Sequence, residues 1–211
     1  MSLAPSASSD ATRIDEGRRQ LSADKVPDMV GSPDTRLVVL RGNSASGKST
    51  IAQGLRDQLG RGIAWIEQDY LRRTVLREHD QPGLPNIGLI DTTIRYTLDA
   101  GYHVIADGIF GAARYGDMLR QLTEDHRGVT RHYYFDIPLA ETQRRHNTKP
   151  FTVPAEKLAD WYHQRDLLGL NDESVITVDE TPDQIIQRLI HEIGFIDPPI
   201  RAKLGAEAHL T

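Results

Sequence analysis

The sequence predicts an α/β fold, a five-stranded parallel sheet covered by crossover helices. Three observations predict it. Short apolar runs alternate with helical stretches from Arg36 onward, which is the pattern of strands joined by helices. Each run is followed by polar residues at its C-terminal end, where a parallel sheet opens on its ligand crevice. The chain has 211 residues, 38% of them hydrophobic, which supplies one core; two separate domains would each lie near the lower limit for independent folding.

The strands are expected at Leu37–Leu40, Ile63–Ile66, His103–Ala106, Tyr133–Phe135 and Val175–Val178. After the first strand, Ile51, Leu55 and Leu59 recur at i, i+4, i+8 and mark one buried face of a helix. Asp91 is placed to cap a second helix ending at Gly101. The last helix carries the stripe Ile185, Ile186, Leu189, Ile190, Ile193 and stops at Gly194. Its start is marked too: Thr181 and Gln184 have capping-box spacing, and Pro182 occupies the first helical position. Residues 1–34 are polar with scattered apolar side chains, so they are expected to form a disordered arm, with a short helix around Ile14 to Leu21. The domain then spans residues 35–195, and 196–211 reads as a C-terminal tail.

Composition removes several function classes. With no cysteine, there is no disulfide framework, thiolate zinc site, iron–sulfur cluster or cysteine nucleophile. The eight histidines show no HExxH-type spacing, which argues against a protein-held transition metal. No apolar stretch approaches the roughly 18 residues of a membrane span, and the N-terminus lacks the order of a signal peptide. No membrane partner and a cytoplasmic location are therefore expected. Lys and Arg total 25 against 30 Asp and Glu, an acidic balance that argues against a long nucleic acid as the main partner.

The chemistry is carried by Gly42-Asn43-Ser44-Ala45-Ser46-Gly47-Lys48-Ser49-Thr50, a complete GxxxxGK[ST] pattern between a strand and a helix. Glycines allow a turn tight enough for successive N–H groups to face one anion, and the helix adds its positive end. Lys48 brings a full charge to the β and γ phosphates, and the Ser49 hydroxyl is placed to ligate the Mg²⁺ of a triphosphate. A GTP switch protein would need an NKxD motif, and none is present; Asp166-Leu167-Leu168-Gly169 matches DxxG but follows a helix.

The second strand ends in Glu67-Gln68-Asp69-Tyr70-Leu71-Arg72-Arg73. A carboxylate at that mouth can take the proton of an attacking hydroxyl, which makes Asp69 the candidate base. Arg72, Arg73 and Arg77 are then candidates for an anionic or hydroxylated acceptor. The plainer alternative is that Asp69 caps the next helix and the arginines form a solvated face. The third strand ends in Asp107-Gly108-Ile109-Phe110-Gly111, which makes Asp107 a candidate Mg²⁺ carboxylate, with Arg114 and Tyr115 near the acceptor; a simple strand-to-helix turn also accounts for the glycines. A helix after the fourth strand runs into Arg144, Arg145 and Lys149. These cations can close over the triphosphate and neutralise charge in transfer, or they can be ordinary positive charge at a helix C-terminus.

Taken together, Gly42 to Thr50, Gln68-Asp69-Tyr70, Asp107-Gly108 and Arg144 to Lys149 resemble the P-loop small-molecule kinases of the nucleoside-monophosphate-kinase-like branch, a group that includes chloramphenicol phosphotransferases, gluconate kinases and zeta-toxin-type kinases. The resemblance covers roughly Arg36 to Ile193. It implies a three-layer α/β/α P-loop NTPase fold with sheet order 2-3-1-4-5, a helical lid at about 144–168, ATP as donor with Mg²⁺, and an acceptor bound beside the second and third strands. Phe110 and Gly111 depart from the proline-arginine of many nucleotide kinases, and Lys149 stands where many lids use arginine.

The expected function is therefore transfer of the γ-phosphate of ATP to a hydroxyl of a small molecule, a metabolite or an antibiotic. Lys48, Asp69 and Arg145 are the catalytic candidates. Gly42 to Thr50 with Arg144 and Lys149 hold nucleotide, Arg72, Arg73 and Arg114 hold acceptor, and Ser49 and Asp107 hold metal. Two alternatives stay open: a kinase of nucleosides, nucleotides or polynucleotide 5′ ends, and a regulatory P-loop ATPase working through a partner. Oligomeric state is not legible in the sequence.

Overall fold

The computed structural model describes residues 29–81, 83–148 and 154–204. Five parallel strands form one sheet: β1 (Arg36–Gly42), β2 (Ile63–Glu67), β3 (His103–Gly108), β4 (Val129–Phe135) and β5 (Glu173–Ile176), in the order β2-β3-β1-β4-β5. This is the α/β/α P-loop NTPase architecture, with the strand order that the family resemblance implies. Every residue of β1 is buried, as a central strand with covered faces requires.

Alternation along β1 assigns the two cores. Val38 and Leu40 face α1 (Lys48–Leu59) and α6 (Pro182–Ile193), packing on Ile51, Leu55, Ile186 and Leu189. Leu37 and Val39 face the other way, toward α2 (Asn86–Asp99) and α3 (Ala112–Asp125), with Ile90, Ile94, Leu119 and Leu122. Between α3 and β5 lie β4, α4 (Leu139–His146) and α5 (Ala155–Asp160). The chain closes with the short α7 (Arg201–Leu204). Among the described residues, no helix is long and apolar enough to cross a membrane.

The sequence-derived caps of α6 are present. Thr181 Oγ1 accepts from Gln184 N, Gln184 Oε1 accepts from Thr181 N, and Gly194 ends the helix at φ 59°. The second helix begins earlier than expected. Pro85 fixes its entry, and Asp91 lies one turn inside, paired with Arg95 at 2.9 Å instead of capping. The fifth strand ends at Ile176, two residues short of Val178, because β4 offers pairing partners only as far as Phe135.

Both flanking segments pack where they are described. Val30 is buried and bonds through its N–H to Asp125 O, while Gly31 N–H donates to Asp99 Oδ1 at 2.7 Å. The short helix expected around Ile14 to Leu21 lies outside the described residues. Beyond α6, Arg201 donates to Leu59 O at 2.7 Å and to Arg61 O, satisfying carbonyls at the end of α1 that the helix leaves open. Ile200 N–H donates to Gly101 O, so residues 196–204 follow the sheet's lower edge.

Three histidines are buried in the sheet and its flanks, His103 and His126 near the strand starts and His132 midway along β4. Burial pulls His126 and His132 down to about 4 each, and lowers His103 as well. An unfolded histidine titrates near 6.5, so the unfolded chain takes up protons that the native state refuses as pH falls. Stability should therefore be complete above about pH 6.5 and decline toward pH 4, by on the order of 2–3 kcal/mol for each strongly shifted ring. Urea midpoints measured between pH 7.5 and 4.5 should fall steeply, and His132→Gln, which keeps a donor toward Thr123, should flatten the curve.

Candidate functional site

The loop between β1 and α1 is shaped by close approach. Gly42 has φ 139°, and a Cβ there would stand 2.8 Å from the Phe135 carbonyl oxygen; Gly47 has φ 105°. Ala45 takes φ 60° without being glycine. Lys48 opens α1 and is folded over its own loop, donating to Asn43 O at 2.8 Å and Ser46 Oγ at 3.1 Å. Its ammonium is thus held above the loop amides, where an anion would sit. Asn43 does more than lend its backbone. Its side chain donates to His163 O and accepts from His163 N–H, at 2.7 and 2.9 Å, and pins the segment after α5 to the loop.

Beside this loop, Glu67 and Asp107 are register partners at the ends of β2 and β3. Burial raises Asp107; the Ser49 hydroxyl and the Lys48 charge oppose that rise. Glu67 is raised by burial, then by Asp107 and Asp69. Acids crowded together at a strand mouth attract a cation. Asp107 Oδ2 is buried and has no hydrogen-bond partner, so the pair Ser49 and Asp107 fits a Mg²⁺ ion. Among the described residues, no three His, Asp or Glu side chains converge to hold a metal by themselves. That suits an ion carried in by a triphosphate and held by one or two protein groups.

Two clefts flank these elements, one along the β1–α1 loop and one along the segments that follow β2 and β3. The first, about 370 Å³, runs from Ala45–Ile51 past Phe135, Ile137 and Arg145 to Ile176, Thr177 and Pro182. The second, about 610 Å³, is walled by Arg72, Arg73 and Arg77, by Ile109, Gly111 and Arg114, and by Trp161 and His163. Both volumes suit small ligands.

Asp69 precedes a short π-helix, Tyr70–Val75, without capping it. Its carboxylate is held instead by Arg72 at 2.8 Å and Arg73 at 3.3 Å. Arg72 is buried, also donates to Glu78 O, and leaves its Nε without a partner. Arg114 pairs with Asp80 at 2.7 Å. Tyr115 donates to Asp80 and Asn86, and burial pushes its phenol up to about 12.

The cations of α4 divide. Arg145 donates to Glu141 at 2.6 Å and to Ser46 O at 3.0 Å, placing its guanidinium on the phosphate loop. Arg144 pairs with Glu141 on the exposed side and makes no contact with the loop. Lys149 lies outside the described residues. The loop, the mouth acids and Arg145 thus come together, Arg72, Arg73 and Arg114 gather in the second cleft, and Arg144 stands apart.

Sequence reasoning missed three contributors. Gln68 is buried and its Oε1 accepts from Phe110 N–H at 3.2 Å, which shapes the strand-mouth turn; its place between two acids at a strand end was the available signal. Arg41, which donates to Phe110 O, Asp166 O and Glu173 Oε1, and the Asn43–His163 pair act across the chain and leave no local pattern. Backbone strain is a further sign. Among the described residues, the non-glycine residues with positive φ are Ala45, Arg77, Phe110 and Arg165, each in or beside one of the two clefts.

A family model described as AAA domain matches residues 37–168, well over half of the chain, and the chain belongs to that family. No curated protein sequence matches. Solved structures share the fold at low identity. The Mycobacterium tuberculosis APS kinase in complex with AMPPNP and APS superposes with a TM-score of 0.58 at 21% identity, covering 75% of this chain and 97% of its own. A gluconokinase from Sinorhizobium meliloti gives 0.55 at 16% identity, covering 78% and 93%. The Deinococcus radiodurans tunicamycin resistance protein gives 0.55 at 16%, covering 77% and 97%.

If Ser49 and Asp107 hold Mg²⁺, Asp107→Asn should keep metal-free nucleotide binding but raise the Mg²⁺ needed for tight binding about tenfold or more. Lys48→Ala should weaken binding whether or not Mg²⁺ is present. Titration of a fluorescent ATP analogue at graded Mg²⁺ separates the two effects.

Proposed function

We propose that this member of the AAA-domain family is an ATP-dependent phosphotransferase that moves the γ-phosphate to a hydroxyl of a small molecule. One observation carries the reading: the phosphate loop lines one cleft, and Asp69 is held by Arg72 and Arg73, which wall a second cleft. That is the layout an in-line transfer between two bound molecules needs. A regulatory ATPase would have no use for a second cleft of this size.

The chain's residues then take these parts. The amides of Gly42 to Thr50 and Lys48 orient the phosphates. Ser49 and Asp107 would hold Mg²⁺, which when bound would supply charge neutralisation at the phosphate oxygens. Asp69, steadied by Arg72 and Arg73, takes the proton as the acceptor oxygen bonds to the γ phosphorus and the bond to the ADP oxygen breaks. Arg145 needs only to turn from Ser46 O toward the transferred group to stabilise it, and the anchored 163–166 segment keeps water out. Arg114 borders the acceptor, and Arg144 and Lys149 add positive charge to the lid.

The test is ADP release from Mg·ATP across hydroxylated acceptors, with a 5′-hydroxyl oligonucleotide included and Asp69→Asn beside the wild type. A small acceptor should stimulate release, and the variant should lose about a hundredfold or more in kcat while ATP still binds. Stimulation by the oligonucleotide alone would point to an end kinase. Slow hydrolysis indifferent to acceptor and mutation would point to a regulatory ATPase.

A further inference from the structure

Four arginines line the second cleft together with Glu78, Asp80 and Asp160, and one of the four, Arg77, is not committed to any carboxylate among the described residues. Arg72 and Arg73 share a single carboxylate, Asp69. Arg114 is matched by Asp80, and Glu78 accepts from Asn86. Arg77 lines the same cleft, is exposed, and makes no ion pair or hydrogen bond among the described residues.

Its backbone is a second, independent observation. Arg77 sits at φ 57°, a left-handed conformation that glycine adopts freely and that a side chain with a Cβ adopts at a cost. A turn alone would be served better by glycine. Strain of this kind at the wall of a cleft is expected where the side chain itself is needed. A third observation is the buried Arg72 Nε without a partner, which leaves the neighbouring guanidinium short of one hydrogen bond.

We infer that the acceptor is itself an anion: a hydroxylated small molecule carrying a phosphate, sulfate or carboxylate group, which Arg77 binds while the hydroxyl faces Asp69. The inference rests on the phosphotransferase reading and narrows its substrate class. A guanidinium matches such groups with two parallel hydrogen bonds, and a neutral polyol would leave Arg77 without a counter-charge. Trp161, 47% exposed and lining the same cleft, offers a flat apolar face to the body of the ligand. Asp160 beside it disfavours a second anionic group at that end, which sets the polarity of the bound molecule.

The experiment pairs acceptors that differ in charge: ribose with ribose 5-phosphate, glucitol with gluconate, and adenosine with adenosine 5′-phosphosulfate. Each is tested by ADP release and by calorimetric binding to the full chain without nucleotide. In at least one pair the anionic member should be preferred by about tenfold or more in kcat/KM, and the responding pair identifies phosphate, carboxylate or sulfate. Arg77→Gly should abolish that preference while leaving the melting temperature equal or higher, an outcome a structural role for Arg77 does not produce. A neutral member favoured in every pair, or a preference that survives Arg77→Gly, overturns the inference. If no acceptor is turned over, calorimetry separates the two failures. Anion binding that Arg77→Gly removes would keep the anion site and sink the kinase reading, whereas no binding of any anion overturns the inference itself.

Discussion

A buried guanidinium holds both clefts in place. Arg41 is the penultimate residue of β1 and fully buried, with its side chain passing under the strand mouth. It donates twice to Phe110 O, at 3.1 and 2.9 Å, once to Asp166 O, and to Glu173 Oε1 at 2.7 Å. Asp166 Oδ2 stands 3.4 Å away and also accepts from Ala112 N–H at the start of α3. The Tyr134 ring lies 5.7 Å from the guanidinium carbon. Burial lowers the pKa of Arg41, and Glu173 and Asp166 oppose that drop. A desolvated cation persists only if its donors are satisfied, so the β3–α3 loop, the segment after α5 and β5 must converge on this point. Removing any one partner would leave charge stranded in the core, which makes this contact unforgiving.

The consequences spread outward from there. Phe110, whose carbonyl Arg41 holds, has φ 42°, and its neighbours Ile109 and Gly111 line the second cleft. Asp166 fixes the end of a segment whose other end, His163, is pinned by Asn43 in the phosphate loop. The wall of one cleft is therefore tied to the floor of the other. The chain of contacts that joins them is short: Asn43 to His163 at one end, Asp166 to Arg41 and Ala112 at the other. The DxxG-like run at Asp166 is explained by the same contacts: its acid serves a guanidinium and a helix start, with no switch role required.

Charge is arranged with equal economy. Glu67, Asp69 and Asp107 lie close enough at the strand ends for Asp107 and Asp69 to raise Glu67, while Arg72, Arg73, Arg77 and Arg114 line the second cleft. Arg145 and Arg144 both lean on Glu141, whose carboxyl they pull down to about 2. The two contacts differ in what lies beyond: Arg145 reaches the loop carbonyl and Arg144 reaches solvent. A helix rotation of one residue separates a group poised at the phosphates from one that only adds charge to the surface.

Much of this protein was legible in the sequence because the relevant signals are local. Five apolar runs located the strands, GxxxxGK[ST] located the phosphate loop, and Thr181, Pro182, Gln184 and Gly194 bounded the last helix, since caps, periodicity and tight turns are set by residues a few positions apart. The helix start misread at Asp91 shows the limit of that locality: an acid that could cap found a better partner one turn on, in Arg95. What only the tertiary structure decided are the pairings across the chain. Arg41 meets Glu173, Asn43 meets His163, Arg145 meets Ser46, and Arg77 has no ion pair or hydrogen bond among the described residues. No spacing rule carries such information, because a buried charge chooses its partners by proximity in the folded state, and that proximity exists only once the sheet has brought its strand ends to a common edge.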